Sequence, residues 1–239
     1  MKNRWISTGV LAAMLMALVL VLSGCFFRSP EELYQSPERS ADYENLTQKI
    51  REVKDSLAQE YGVEVDDTSV LSGDNTALIQ LQDMDGDGQR ETAVTFFRVP
   101  GAEKPQKIYF FTKGEDETYT VSAMLEGDGS AIYRVDYADL DGSGLKEVVV
   151  SWQMSTGVYL LGAYSLEEAM VRSLQYAASA PAGSATAQGL PDREALRATE
   201  WMTTVYDDYA LYDLDQDTRT ELAVVRVDKA GTNSAVDLY

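Results

Sequence analysis

Apolar side chains recur along this chain with two different periods, and the change from one to the other divides it. Leu46, Ile50, Val53, Leu57 and Tyr61 follow Tyr43 at intervals of three and four, with Asp42 and Glu44 in the first turn and Gly62 directly after. That spacing predicts one amphipathic helix over residues 40–62. The stripe is shorter than the three to four heptads a coiled coil sustains, so the helix is expected to pack on its own domain. Beyond it, apolar, β-branched and aromatic residues run in strand-length segments: 77–82, 92–97, 107–111, 119–124, 131–138, 148–152, 208–212 and 222–227.

Three pairs of these segments enclose the same acidic pattern. Asp83, Asp85, Asp87 and Glu91 stand at positions 1, 3, 5 and 9 of the first loop; Asp139, Asp141, Ser143 and Glu147 of the second; Asp213, Asp215, Asp217 and Glu221 of the third. The likeness extends upstream, where Leu71–Asp74 matches Leu125–Asp128. The first Asp recurs after 56 and then 74 residues, and the Ala, Ser, Gly and Thr run of 177–189 accounts for most of the extra length as a surface insertion. Each unit offers a strand before its loop, one after it and a following pair, which is the composition of a four-stranded propeller blade.

These loops resemble the FG-GAP and VCBS-type repeats of extracellular propellers, over about residues 70–239, although the Phe-Gly and Gly-Ala-Pro signatures are absent. The resemblance implies a mainly β fold of antiparallel four-stranded blades over 63–239, preceded by the helix. Only about three blades are present, fewer than the four to eight that close a ring. Residues 235–239 fall where a third strand of the third blade begins, so the chain is expected to be a fragment of a longer protein.

The loop chemistry points to calcium. Ca²⁺ takes six to eight oxygens in flexible geometry, and alternating acids on a tight turn supply several from one short segment. Side-chain oxygens come from positions 1, 3, 5 and 9, and position 7 (Gln89, Leu145, Arg219) offers a backbone carbonyl. Gly86, Gly88, Gly142 and Gly144 let the backbone curl. Ser143 is a weaker ligand, and Gln216 and Thr218 stand where glycines belong, so the third site is expected to be distorted or empty. An EF-hand would need a Glu at position 12 and a following helix; Val94 occupies that position and strands follow. Zinc lacks His and spare Cys, and Mg²⁺ seldom uses all-protein cages.

Composition narrows the function. The 239 residues carry 20 Lys and Arg against 39 Asp and Glu, a formal net charge of −19, which argues against nucleic acid as a partner. With no His in the chain, Ser-His-Asp triads, Cys-His pairs and HExxH zinc sites are excluded. No phosphate-cradling glycine loop or nucleophile elbow is present.

The first 24 residues are laid out as a secretory leader: Lys2 and Arg4, then 13 uninterrupted apolar residues from Val10 to Leu22, short of the about 20 that span a membrane. The run ends in Leu22, Ser23, Gly24 and Cys25, which resembles the bacterial lipoprotein signal. That resemblance implies cleavage before Cys25, lipidation of its sulfur, and a tether over 25–39. The expectation is a secreted protein anchored to the membrane on the extracytoplasmic face, binding Ca²⁺ and acting as a binding or scaffold module for a glycan or protein ligand. The alternative is an envelope polysaccharide hydrolase or lyase whose carboxylate catalysts are unidentified; paired carboxylates support that chemistry, but acids are too common here to single out a pair.

Overall fold

The computed structural model describes residues 41–179, 191–217, 219–227 and 233–239, within one compact unit. The expected leader, Cys25, the tether, Thr218 and most of the 177–189 insertion lie outside the described residues.

Helix α1 (Ala41–Tyr61) forms where the three-four spacing predicts it. Gly62 ends it at φ +66, its N–H closing on Ala58 O at 2.9 Å. Among the described residues twelve strands follow: β1 (Asp66–Thr68), β2 (Ile79–Gln82), β3 (Thr92–Arg98), β4 (Gln106–Lys113), β5 (Tyr119–Gly127), β6 (Ala131–Ala138), β7 (Glu147–Ser155), β8 (Val158–Ser165), β9 (Thr199–Tyr206), β10 (Asp208–Tyr212), β11 (Glu221–Val227) and β12 (Ser234–Leu238). Helices α2 (Glu167–Ser179) and α3 (Arg193–Leu196) lie between β8 and β9. α2 takes up the first residues of the low-complexity run, which composition alone reads as irregular.

The strands form three antiparallel sheets, of five, four and three strands. In the first, β1 and β2 pair in succession along one edge of β3, Thr68 opposite Phe96 and Ile79 opposite Thr95, so two short strands do the work of one. The second is the meander β6-β7-β8-β9 and the third is β10-β11-β12. Each acidic loop joins the first hairpin of its sheet: β2 to β3, β6 to β7, and β10 to β11.

Three apolar layers stack helix and sheets face to face. Leu46, Val53 and Leu57 of α1 bury against Phe97, Tyr109, Phe111 and Val121 on one face of the first sheet. Its other face, Val94, Phe96, Ile108 and Phe110, meets Ile132, Val148, Val150 and Trp152 of the second. The reverse side of the second, Val149, Leu161 and Ala163, packs on Tyr209, Leu222 and Val224 of the third. Strands buried on both faces lose the polar alternation of a half-exposed sheet, which is why β3 and β7 read as continuous apolar runs.

One register difference separates the repeats. Ala138 pairs with Glu147 and Tyr212 with Glu221, whereas in the first hairpin Gln82 pairs with Thr92, one residue beyond the corresponding Glu91. A one-residue slip exchanges the faces of a strand. Two residues after the loop glutamate, Ala93 therefore faces α1, while its counterpart Val149 faces the next sheet.

Candidate metal centres

Two of the loops share one internal hydrogen-bond scheme throughout, and the third repeats it from position 3 onward. At position 1, Asp83 accepts from Gly86 N (2.7 Å) and Gly88 N (3.1 Å), as Asp139 does from Gly142 N (2.7 Å) and Gly144 N (3.0 Å). Asp85, Asp141 and Asp215 at position 3 each accept from the N–H of position 5, at 3.2, 2.8 and 3.1 Å. Asp87, Ser143 and Asp217 at position 5 accept from the N–H of Gln89, Leu145 and Arg219, at 2.7, 3.2 and 2.9 Å. Glu91, Glu147 and Glu221 close the circle by accepting from the N–H of position 2, Met84, Leu140 and Leu214, at 3.3, 2.8 and 2.7 Å. Turn-forming acids and a returning glutamate thus curl each loop around its own carboxylates.

The result is three acidic groups that could hold a metal ion: Asp83, Asp85, Asp87 and Glu91; Asp139, Asp141 and Glu147; Asp213, Asp215 and Glu221, with one oxygen from each member within 4.8 Å of the others. Asp217 is not drawn into the third group. Gln89, Leu145 and Arg219 sit at the turn, Gln89 also holding Asp87 Oδ2 through its amide at 2.8 Å. Gln216 adopts φ +64, close to the +74 of Gly86 and Gly142, so the third loop reaches the same turn without its glycine.

The residues present fit a hard cation. Glu147 is 2% exposed, and burial, followed by the charges of Asp141 and Asp139, pushes its pKa up to about 6; a cation among those oxygens would oppose that shift by favouring the ionised carboxylate. Glu91 Oε2 is buried and has no hydrogen-bond partner among the described residues. All donors are oxygens, the ligand type of hard cations rather than of softer metals.

The loops also touch one another. Lys146 N donates to Met84 O at 2.8 Å and Thr220 N to Asp139 O at 3.1 Å, so position 8 of each later loop binds the loop before it. The Lys146 ammonium donates to Asp83 O at 2.5 Å, and the Arg219 side chain lies over Gly142. The acidic pattern does not announce these contacts; the one sequence signal is that positions 7 and 8 carry bases, Lys146 and Arg219, among acids.

A second charged centre was not legible in the sequence. Glu126 on β5 is nearly buried and pairs with Lys107, Arg193 and Arg197; Arg193 also meets Glu60 and the Tyr61 hydroxyl, joining α1, the first sheet and α3. Comparison with protein-family models, curated proteins and solved structures finds no match for this chain. Among the described residues, no helix is long and apolar enough to cross a membrane.

Proposed function

We propose that the chain is a lipid-anchored, calcium-binding module of the extracytoplasmic face, built of propeller-type blades and presenting a surface to a glycan or protein ligand. The observation that carries the ion is the threefold recurrence of one carboxylate circle, hydrogen-bonded alike at three hairpin bends. Chance acidity would not repeat the same donor at the same loop position three times.

Face-to-face packing of three antiparallel sheets, each entered through its loop-bearing hairpin, favours the propeller reading. So does the outer face of the third sheet. Tyr212, Val236 and Leu238 are 66, 60 and 60% exposed there, repeating the apolar alternation that the inner sheets bury. The apolar leader and the Leu22-to-Cys25 pattern support secretion and lipid attachment.

The ion's role follows from placement. It neutralises acids that otherwise repel, and it clasps the bend joining the first two strands of each sheet. Binding to the folded state alone stabilises by RT ln(1 + [Ca²⁺]/Kd) per site, about 2.7 kcal/mol at one hundred times Kd. Calorimetric titration of the chelator-treated protein tests this. Saturable Ca²⁺ binding with a rise in melting temperature is the expected result; an unchanged melting temperature on adding either Ca²⁺ or chelator overturns the reading.

A further inference from the structure

Position 8 of the second acidic bend lies between two of that bend's expected ligands, the Leu145 carbonyl and the Glu147 carboxylate. Lys146 occupies it and reaches out of its own bend twice. Its N–H donates to Met84 O at 2.8 Å and its ammonium to Asp83 O at 2.5 Å, and Asp83 is the first acid of the first group. The third bend repeats the arrangement on the second. Thr220 stands between Arg219 and Glu221, and its N–H donates at 3.1 Å to the carbonyl of Asp139, again the first acid of a group. The Arg219 side chain covers Gly142, whose own N–H donates to Asp139 Oδ1.

The residue between two ligands of one bend is therefore bonded to the opening acid of the bend before it. Holding positions 7 and 9 leaves position 8 little freedom, because the three are consecutive along the chain. Once the second bend is fixed, Lys146 fixes Asp83 and Met84 in turn, and the first bend has less conformational freedom left to lose on binding. Charge acts the other way, since calcium in one bend makes its surroundings less negative for the next ion. That repulsion is screened over about 8 Å at physiological salt, whereas the bond to the buried Met84 is not.

Resting on the calcium reading above, we propose that the three bends bind Ca²⁺ with positive cooperativity, and that Lys146 is the residue that positions the first bend according to the state of the second. Thr220 plays the same part between the second and third through its main chain. The coupling is reciprocal, so filling the first bend raises the affinity of the second by the same factor.

The test is a Ca²⁺ titration of the full chain in about 0.15 M salt, followed by ¹H–¹⁵N NMR. The amides of Gly86 and Gly88 report the first bend, and those of Gly142 and Gly144 the second. It is repeated on Asp141→Asn, Lys146→Met and the double variant. Asp141 is exposed, and Asn keeps an oxygen for the Ser143 N–H, so that change weakens the second site and touches nothing in the first. The expected result is that Asp141→Asn also lowers first-bend affinity about fivefold. In the Lys146→Met background, which keeps the main-chain bond to Met84, the same change lowers it only about twofold. A residue that merely supported the fold would shift affinity in both backgrounds and leave this ratio unchanged. First-bend affinity that Asp141→Asn leaves unchanged or raises overturns the proposal, and this arm decides alone if Lys146→Met does not fold. An equal loss in both backgrounds overturns the role of Lys146. Glycine amides that ignore Ca²⁺ in both bends overturn the calcium reading itself, a result distinct from two bends that fill independently.

Discussion

The ammonium of Lys146, in the second acidic bend, donates to the backbone carbonyl of Asp83 in the first, 2.5 Å away, beside the 2.8 Å bond from its own N–H to Met84 O. Main chain and side chain of Lys146 thereby tie the second bend to the first. A cation of the protein's own stands beside the first group of carboxylates, held from the neighbouring sheet. Lys146→Met keeps the hydrocarbon stem and the backbone bond and removes only the charged contact. It should lower stability by about 1–2 kcal/mol, read from urea denaturation.

Asp85 and Asp87 supply two of the four acids of the first group. Changing both to Asn keeps a hydrogen-bonding oxygen for the N–H groups of Asp87 and Gln89 while removing two charges. Calcium affinity at this loop should fall by at least tenfold in calorimetry, with the circular dichroism of the sheets unchanged.

Gln216 holds a left-handed backbone that Gly86 and Gly142 hold at less cost. Gln216→Gly relieves that strain but adds freedom to the unfolded chain. The net expectation is a gain of about 0.5–1 kcal/mol in denaturant unfolding. If the third loop is limited by this strain, its Ca²⁺ affinity rises in the same variant.

Gly127 ends β5 directly against the indole of Trp152, which donates to the Tyr164 hydroxyl at 3.0 Å. A methyl group there would overlap the ring, and the ring is walled in by both sheets. Gly127→Ala should cost about 1–3 kcal/mol and alter tryptophan fluorescence.

Glu126 sets a pH dependence. Burial alone would raise its pKa, but the hydrogen bond and charge of Lys107, with Arg193 beside it, outweigh burial and hold it below the ordinary 4.5. In the unfolded chain the group returns to its ordinary value. Its stabilising contribution is therefore complete above about pH 4.5 and is lost as pH falls from there through the folded value. Glu126→Gln should cost about 3 kcal/mol at neutral pH and flatten the acid limb of a stability-against-pH curve relative to the unchanged protein.

What was legible before the structure was what depends on neighbours along the chain. The stripe from Tyr43 to Tyr61 placed α1 within a residue at each end, and the loop pattern located the hairpin of each sheet. The acids of the first two groups come together as their spacing implies, because each lies within nine residues of its partners. In the third, for which a distorted or empty site is the expectation, Asp217 stays outside the group while Gln216 takes up the left-handed turn in place of a glycine. Intrinsic preference is a weak term when the surrounding hydrogen bonds demand one conformation.

The two-strand edge of β3, the one-residue offset of the first hairpin, the α2 and α3 insertion and the Glu126 network were not legible. Each joins residues far apart in sequence. Glu126 meets Arg193 across 67 positions and Lys146 meets Asp83 across 63. No local pattern encodes such a pairing. It is decided only when apolar faces have stacked and the buried charges must find partners. The chain's own order thus determined which bends are acidic and which segments extend, since turn chemistry and side-chain period are local. Tertiary packing alone decided which bend leans on which and which face of β3 meets the helix, because burial is a property of surfaces brought together in space.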